Sequence, residues 1–290
     1  MIRQMSSPQP IPLPSKAVPR IVLTLERARG VARIALTGDR GITRLRENYQ
    51  SGSAKVRFPR TDNGAPIEAI LLNTGGGVTG GDHLSYAVSI DANAHGIATT
   101  QAAERVYRRT AGVARIETKL AVAAGASLDW LPQETILFDK SALTRTLDAD
   151  VDPSGRLLAV EAIVLGRAAM GETARSIALS DTWRIRRCGA LVFADNLRLT
   201  GDSVAIMAAG ATGNGAAAIA TVVLVAEDAE ASIDRAHEAL QSTKGEGGAS
   251  AWNGVLVARL IAPTGQELRA DLVRLVEALR GVPMPRVWNC

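Results

Sequence analysis

A mainly β chain of stacked sheets, arranged as a β-helix or a sandwich and followed by two C-terminal α-helices, is the fold class this sequence predicts. Three observations predict it. Short runs with apolar residues at alternate positions recur from residue 20 onward, with the spacing of about eight to twelve residues seen in all-β folds. Gly, Pro, Asn or Asp residues punctuate many of them. Only near the C-terminus does the apolar spacing become helical. The runs share no fixed sequence repeat, so a regular repeat architecture is not demonstrated.

Met1–Pro19 carries five prolines and no apolar core, so it reads as a disordered leader and not as a secretory signal. Residues 20–290 read as one β-rich domain. Expected strands open with Ile21–Leu25 and Val31–Leu36. Asp39–Arg60 is basic and polar, the pattern of a solvated face. Ile67–Leu72 leads into a glycine-rich stretch, and Leu84–Ile90 alternates again. Gln101–Arg108 is ambiguous, helical by propensity but flanked by strand signals. Residues 114–122 alternate apolar and charged. Further strands are expected at Ser127–Leu131, Thr135–Phe138, Thr144–Val151, Leu157–Leu165, Thr182–Cys188, Leu191–Leu199 and Ala218–Ala226. Ser232–Gln241 reads as a helix. Thr264-Gly265-Gln266-Glu267 is a capping box, followed by Leu268, Leu272, Leu275, Val276 and Leu279 at helical spacing, with Gly281 as the stop. Pro283–Trp288 should be extended, since two prolines forbid helix.

Asn73–Asp82 is the densest motif, with glycine at five of its ten positions. Gly75, Gly77 and Gly80 satisfy G-x-G-x-x-G after an apparent strand, which raises a nucleotide-binding enzyme using the Gly75–Asp82 loop as the alternative reading. That mechanism needs a helix N-terminus for the phosphates. A strand pattern follows instead, and Gly81-Asp82 stands where a phosphate loop needs Lys and Ser or Thr. Strand–turn–strand is the better reading.

The chain has 290 residues, 47% hydrophobic and 21% charged, and a net charge of +4. That charge is too mild to imply a nucleic-acid partner, and basic residues are not interleaved with stacking aromatics. An Arg-rich surface that meets acidic proteins is the simpler account. No run is apolar for the 18 or more residues a membrane helix needs. Cys188 and Cys290 alone cannot build a disulfide framework, which fits a cytoplasmic chain. Cys188 sits in a strand pattern, where a buried thiol is the common case.

His83, His95 and His237 are too far apart in sequence for a ligand motif, although His83 adjoins Asp82. No nucleophile can be paired with a base by sequence logic, so no catalytic residue is assigned. Carboxylates are more suggestive. Asp82, Glu104, Glu134, Asp139, Glu161, Glu172 and Asp195 all lie in uncharged, apolar or Gly-rich contexts. If several faced one channel, their oxygens would bind a divalent cation weakly and release it.

Six blocks carry a family resemblance. Thr74–Asp82, Thr99–Arg108, Trp130–Phe138 and Leu165–Glu172, with the short Gly41–Leu45 and Pro285–Trp288, resemble the signature blocks of the urease accessory protein UreD family, also called UreH. They stand in the family's order and span roughly residues 20–289. Gly76-Gly77 replaces the Ala-Gly often found there, and Ser53-Ala54-Lys55 a Pro-Leu-Lys. The resemblance implies a β-rich stack with paired C-terminal helices and a non-catalytic maturation factor. Such a factor joins UreF and the GTPase UreG to apo-urease and supports nickel delivery through an internal tunnel. It implies no tightly bound cofactor, only transient Ni²⁺, and no membrane or nucleic-acid partner. Asp82, Glu104, Gln133, Glu134, Glu161 and Glu172 are then the candidate nickel-route residues. Leu268, Leu272, Leu275 and Trp288 are candidates for a partner interface, against the plainer reading that helix and tail pack on the chain's own sheet.

Overall fold

Alternation of the kind found in His83–Ile90 buries Leu84, Tyr86, Val88 and Ile90 and leaves the intervening side chains on the other face. A computed structural model describes residues 26–60 and 65–289 and shows how such strands are stacked. The expected leader, the expected strand Ile21–Leu25 and Cys290 lie outside the described residues.

In chain order the strands are β1 (Arg29–Asp39), β2 (Ile42–Gly52), β3 (Ala54–Arg57), β4 (Ile67–Asn73), β5 (His83–Ile90) and β6 (His95–Thr100). Next come β7 (Glu104–Val106), β8 (Ala114–Val122), β9 (Ser127–Leu131), β10 (Thr135–Leu137), β11 (Ala142–Val151) and β12 (Arg156–Leu165). The last are β13 (Ser176–Arg187), β14 (Ala190–Asp202), β15 (Ala218–Val225), β16 (Glu246–Trp252) and β17 (Val255–Ala262). Three helices complete the chain: α1 (Ser203–Ala208), α2 (Ile233–Leu240) and α3 (Gly265–Arg280).

The chain winds between two sheets as a β-solenoid. Strands β5, β8, β11 and β13 stack in parallel in one sheet, and β4, β6, β9 and β12 in the other. In the second sheet Ile67 faces Gly96, His95 faces Ser127, and Ser127 faces Arg156, so successive turns advance the chain by 29, 32 and 29 residues. Antiparallel strands finish each end, giving the order β14-β13-β11-β8-β5-β1-β2 in the first sheet and β16-β17-β15-β12-β9-β6-β4-β3 in the second. A third, narrow ladder runs up one corner, where Val78 pairs with Val106, Val106 with Leu137, and Leu137 with Leu165. The sequence shows no repeat because corner loops of unequal length separate the strands, and only inward residues need be apolar.

The first sheet is wetted on its outer face. The middle of the second is buried on both: odd positions of β12 such as Leu157, Ala159 and Ile163 face the interior, while Leu158, Val160 and Ala162 face the helices. Leu268, Leu272, Leu275 and Val276 of α3 are fully buried there, each stabilising the fold by about 2 kcal/mol. Thr264 Oγ1 accepts the Glu267 amide at 3.1 Å, forming the N-cap half of the capping box, while the Glu267 carboxylate reaches back to the Thr264 hydroxyl at 2.9 Å instead of to its amide. Gly281 ends the helix in the left-handed region at φ 71°.

Some expectations need correction. Asp39–Arg60 is solvated over most of β2, as expected, but it is strand, containing β2 and β3. Its edge strand β2 is exposed over most of its length, which masked the alternation, and its charges suit an unpaired edge. Gln101–Arg108 is extended, with β7 at its centre, because ladder pairing on both sides overrides helix propensity. Strands β16 and β17 and the short α1 were not anticipated; Gly247, Gly248 and Ala249 give β16 no apolar signature. Arg286–Asn289 forms a single 3₁₀ turn where an extended tail was expected. Cys188 is exposed on the β13–β14 turn, not buried.

One charged cluster crosses the interior. Arg145 of β11 donates bidentately to Asp181 of β13, at 3.0 and 2.7 Å, and through Nη1 to Glu161 of β12 and Thr135. Trp130 Nε1 donates to the other Glu161 oxygen at 3.2 Å. Burial pushes Glu161 above the usual carboxylate range, and the Asp181 charge adds to this, while Arg145 opposes it. Removing Arg145 would strand two buried carboxylates. Arg145→Ala should therefore lower unfolding free energy by about 3–5 kcal/mol. Urea denaturation at pH 7 checks this, and a loss below about 1 kcal/mol would mean the cluster is solvated.

Candidate functional site

The signature blocks occupy successive turns of the same corner. The Val78 amide donates to Arg105 O at 2.8 Å and the Tyr107 amide to Val78 O at 2.8 Å, seating the glycine loop on the next turn. One turn on, the Phe138 amide donates to Val106 O, and the Gly166 amide to Leu137 O. This stacking explains two of the glycines. A Cβ on Gly77 would lie 2.4 Å from the Tyr107 ring, and one on Gly80 would lie 2.1 Å from Ala111 O. Gly77 and Gly80 are needed because another turn of the chain lies against them, Gly76 takes a positive φ of 72° in open space, and the loop leads into β5 without a helix N-terminus. Gly80→Ala should cost roughly 1–3 kcal/mol through overpacking against backbone, read as a fall in melting temperature. An unchanged melting temperature would remove this explanation.

The corner encloses a cavity of about 300 Å³ lined by Asn73, Gly76, Gly77, Tyr86, Glu104 and Arg105, among others. Asn73 Nδ2 donates to Glu104 Oε1 at 3.0 Å and to Gly77 O at 3.1 Å. The Glu104 amide donates to Glu134 O at 2.9 Å, which fixes the backbone from which the side chain projects. Burial raises the Glu104 carboxyl to about 7, against hydrogen bonds from Asn73 and the Arg105 amide that favour the anion. Burial, followed by the Glu104 charge, pushes the Tyr86 phenol well above its ordinary value. Asn73 and Tyr86 were not singled out from the sequence. Tyr86 could have been, as the one hydroxyl on the inward face of its strand.

The other candidates are placed as follows. Asp82 is buried and accepts the Ala28 and Thr79 amides at 2.9 and 2.8 Å. Gln133 Nε2 donates to the carbonyls of Thr100, Gln101 and Val287. Glu134 receives Arg269 Nη1 of α3 at 2.8 and 2.9 Å, and Arg269 Nη2 donates to Trp288 O at 2.6 Å. Glu161 belongs to the Arg145 cluster. Glu172 is paired with Arg167 at 2.7 Å, whose guanidinium lies over the Phe138 ring. The corner thus gathers Asp82, Glu104, Gln133, Glu134 and Glu172 on neighbouring loops, while Glu161 lies inside between the sheets. Asp139 caps the Ser176 amide at 2.8 Å, and Asp195 pairs with Arg259 at 2.8 Å.

Leu268, Leu272, Leu275 and Trp288 all pack within the chain. The three leucines are fully buried, and Trp288 Nε1 donates to Thr99 Oγ1 and Leu131 O at 3.1 and 3.2 Å. His83 lies 3.3 Å from the Glu117 carboxylate, His95 bonds Ser127, and His237 bonds Ala249 O. Among the described residues no group of three or more His, Cys, Asp or Glu side chains is placed to hold a metal ion. No described helix is long and apolar enough to cross a membrane.

Because the folded-state carboxyl of Glu104 titrates above its ordinary value, the native protein binds the extra proton. Its contribution is fully favourable below the ordinary value of 4.5 and is lost as pH rises towards about 7. Wild-type stability, measured by urea denaturation, should therefore fall across that window relative to Glu104→Gln. Parallel profiles for the two proteins would contradict the assignment.

Comparison with known proteins agrees with the geometry. Residues 28–289 match the family model described as UreD urease accessory protein. The chain is 47% identical over 265 residues to the urease accessory protein UreD of Rhizobium leguminosarum bv. trifolii, covering 91% of this chain and 96% of the relative. It is 43% identical over 263 residues to that of Azorhizobium caulinodans, covering 91% and 97%. To a protein named UreD 3 in Methylorubrum extorquens it is 42% identical over 284 residues, covering 96% and 95%.

Proposed function

The chain belongs to the UreD family of urease accessory proteins, and from that premise we propose that it is a non-catalytic scaffold for urease maturation. In this reading it joins UreF and the GTPase UreG to apo-urease in the cytoplasm, and Ni²⁺ passes through the corner cavity on its way to the urease active site. The observation that supports it best is the convergence of the family blocks on one cavity lined by one half-buried carboxylate, that of Glu104.

Glu104 suits transient contact. Its carboxyl titrates near neutral pH, so an arriving cation displaces a proton and a returning proton helps to release the ion. Oxygen and amide donors hold Ni²⁺ weakly, whereas clustered imidazoles or thiolates would retain it. The remaining candidates serve the route by holding its walls. Asp82 ties the glycine loop to residue 28, and Gln133 with Glu134 ties the next loop to the tail and α3. The enzyme alternative is disfavoured, because the glycine loop meets no helix and two of its glycines, Gly77 and Gly80, are taken up by packing against the next turn.

The test is genetic and analytical. Deleting the gene should leave urease without nickel at ordinary metal supply. Replacing Glu104 with Gln should lower nickel per urease active site at limiting metal by roughly tenfold, the scale of weakening a metal contact, with UreF and UreG still co-purifying. Fully metallated urease from the deletion strain would refute the function. Normal nickel content with Glu104→Gln would refute the route.

A further inference from the structure

Beyond the cavity, the same corner carries a column of basic side chains. The Arg109 amide donates to Lys140 O at 3.0 Å, and the Lys140 amide to Ser176 O at 2.7 Å. Arg108 and Arg109, Lys140, and Arg175 therefore sit on three successive turns of the solenoid, spaced by the strand separation of about 4.8 Å. All four side chains are exposed. Arg109 is turned to Gly112 O at 2.8 Å, but Arg108, Lys140 and Arg175 form no ion pair among the described residues.

The nearest carboxylates are committed elsewhere. Asp139 accepts the Ser176 amide, Asp202 accepts the Val204 and Ala205 amides at the start of α1, and Glu172 is taken by Arg167. Like charges stacked in register repel, and nothing in the fold requires basic residues at these positions. A net charge of only +4 means this excess is local.

Two further features mark the column as a contact surface. Met170, on the loop that carries Arg175, is 73% exposed, and arginine together with exposed methionine is the composition of interface centres. The first turn of the column also continues the strand whose residues line the cavity. Exposed Arg105 lines it, and Tyr107 hydroxyl donates to Gly76 O of the cavity wall at 2.8 Å.

From this we infer that the Arg108–Lys140–Arg175 column is the docking face for an acidic protein surface. The occupant is the protein that receives the cation from the adjoining cavity, which under the function proposed above is apo-urease. A nucleic acid is the weaker fit, since the column is short and the nearby Tyr107 and Phe138 rings pack on each other at 5.0 Å and offer no stacking face.

The experiment uses the purified full chain, with UreF bound for solubility, and apo-urease as probe. At about 50 mM NaCl the triple variant R108E/K140E/R175E should bind apo-urease at least about tenfold more weakly than wild type, and wild-type binding should weaken as salt rises. The milder R108Q/K140Q/R175Q guards against misfolding and should give a smaller loss in the same direction. R184E/R198E, on the outer face of the seven-stranded sheet, should bind as wild type. Unchanged apo-urease binding by both triple variants overturns the inference. So does loss of UreF with apo-urease retained, or tighter wild-type binding to a duplex oligonucleotide than to apo-urease. These affinities are read on isolated proteins, so they stand apart from the nickel content of the deletion strain.

Discussion

Register between parallel turns of backbone is the constraint on which this molecule depends. Each turn offers its amides and carbonyls to the turns above and below, and a slip by one residue would send inward side chains outward. The corner ladder of Val78, Val106, Leu137 and Leu165 extends that register beyond the two main sheets. Once the ladder forms, the loops at the corner cannot move independently. Polar backbone left over there must be satisfied by side chains. That is the work of Asp82 on the Ala28 and Thr79 amides, of Asp139 on Ser176, and of Gln133 on three carbonyls.

The C-terminal helix is coupled to this corner by charge as well as packing. Arg269 joins α3 to Glu134 and to the Trp288 carbonyl, and it lies 4.6 Å from the centre of the Trp288 ring. Glu134 O in turn accepts the Glu104 amide. Arg280 and Arg156 meet on Asp129, tying the far end of α3 to β9 and β12. The position of the Glu104 backbone therefore depends on a chain of contacts that begins in a helix 135 residues beyond Glu134. This gives the final helix and tail a physical reason to be where they are: they hold the outer face of one sheet and the wall of the cavity together.

Strands with one wet face were legible because alternation reports burial directly, as in β5 and β8. Helix α3 was legible because its cap, stripe and stop are all local. The stacked-sheet class was legible in the rhythm of short strands and holds, but the register of the solenoid was not. Its evidence is pairing between residues about thirty apart, such as His95 with Ser127, and no local pattern reports a partner at that distance. Edge strands β2 and β16 escaped because an edge has little apolar burial to advertise. For the site, the resemblance of the blocks drew attention to the right corner, and the carboxylates in uncharged contexts included Glu104. Sequence could not tell which of those carboxylates had a cation beside it, since Arg269 reaches Glu134 and Arg145 reaches Glu161 only through tertiary structure.

That last distinction decides what each carboxylate can do. An arginine bonded to a buried carboxylate already compensates the charge, and a second cation would have to displace it while leaving the arginine buried and unpaired. Glu134 and Glu161 are held in this way, Glu172 is paired with Arg167 nearer the surface, and Asp82 is filled by two amides. Glu104 differs. Its carboxylate accepts from the neutral Asn73 side chain and the Arg105 amide, the nearby Arg105 charge also favours the anion, and burial outweighs all three, which keeps the anion costly near neutral pH. A carboxyl in that state has two routes to relief, a proton or a metal ion, and the choice between them shifts with pH and metal concentration. The ion-paired carboxylates build the walls of the corner, and Glu104 is the one group there whose charge is still open to exchange.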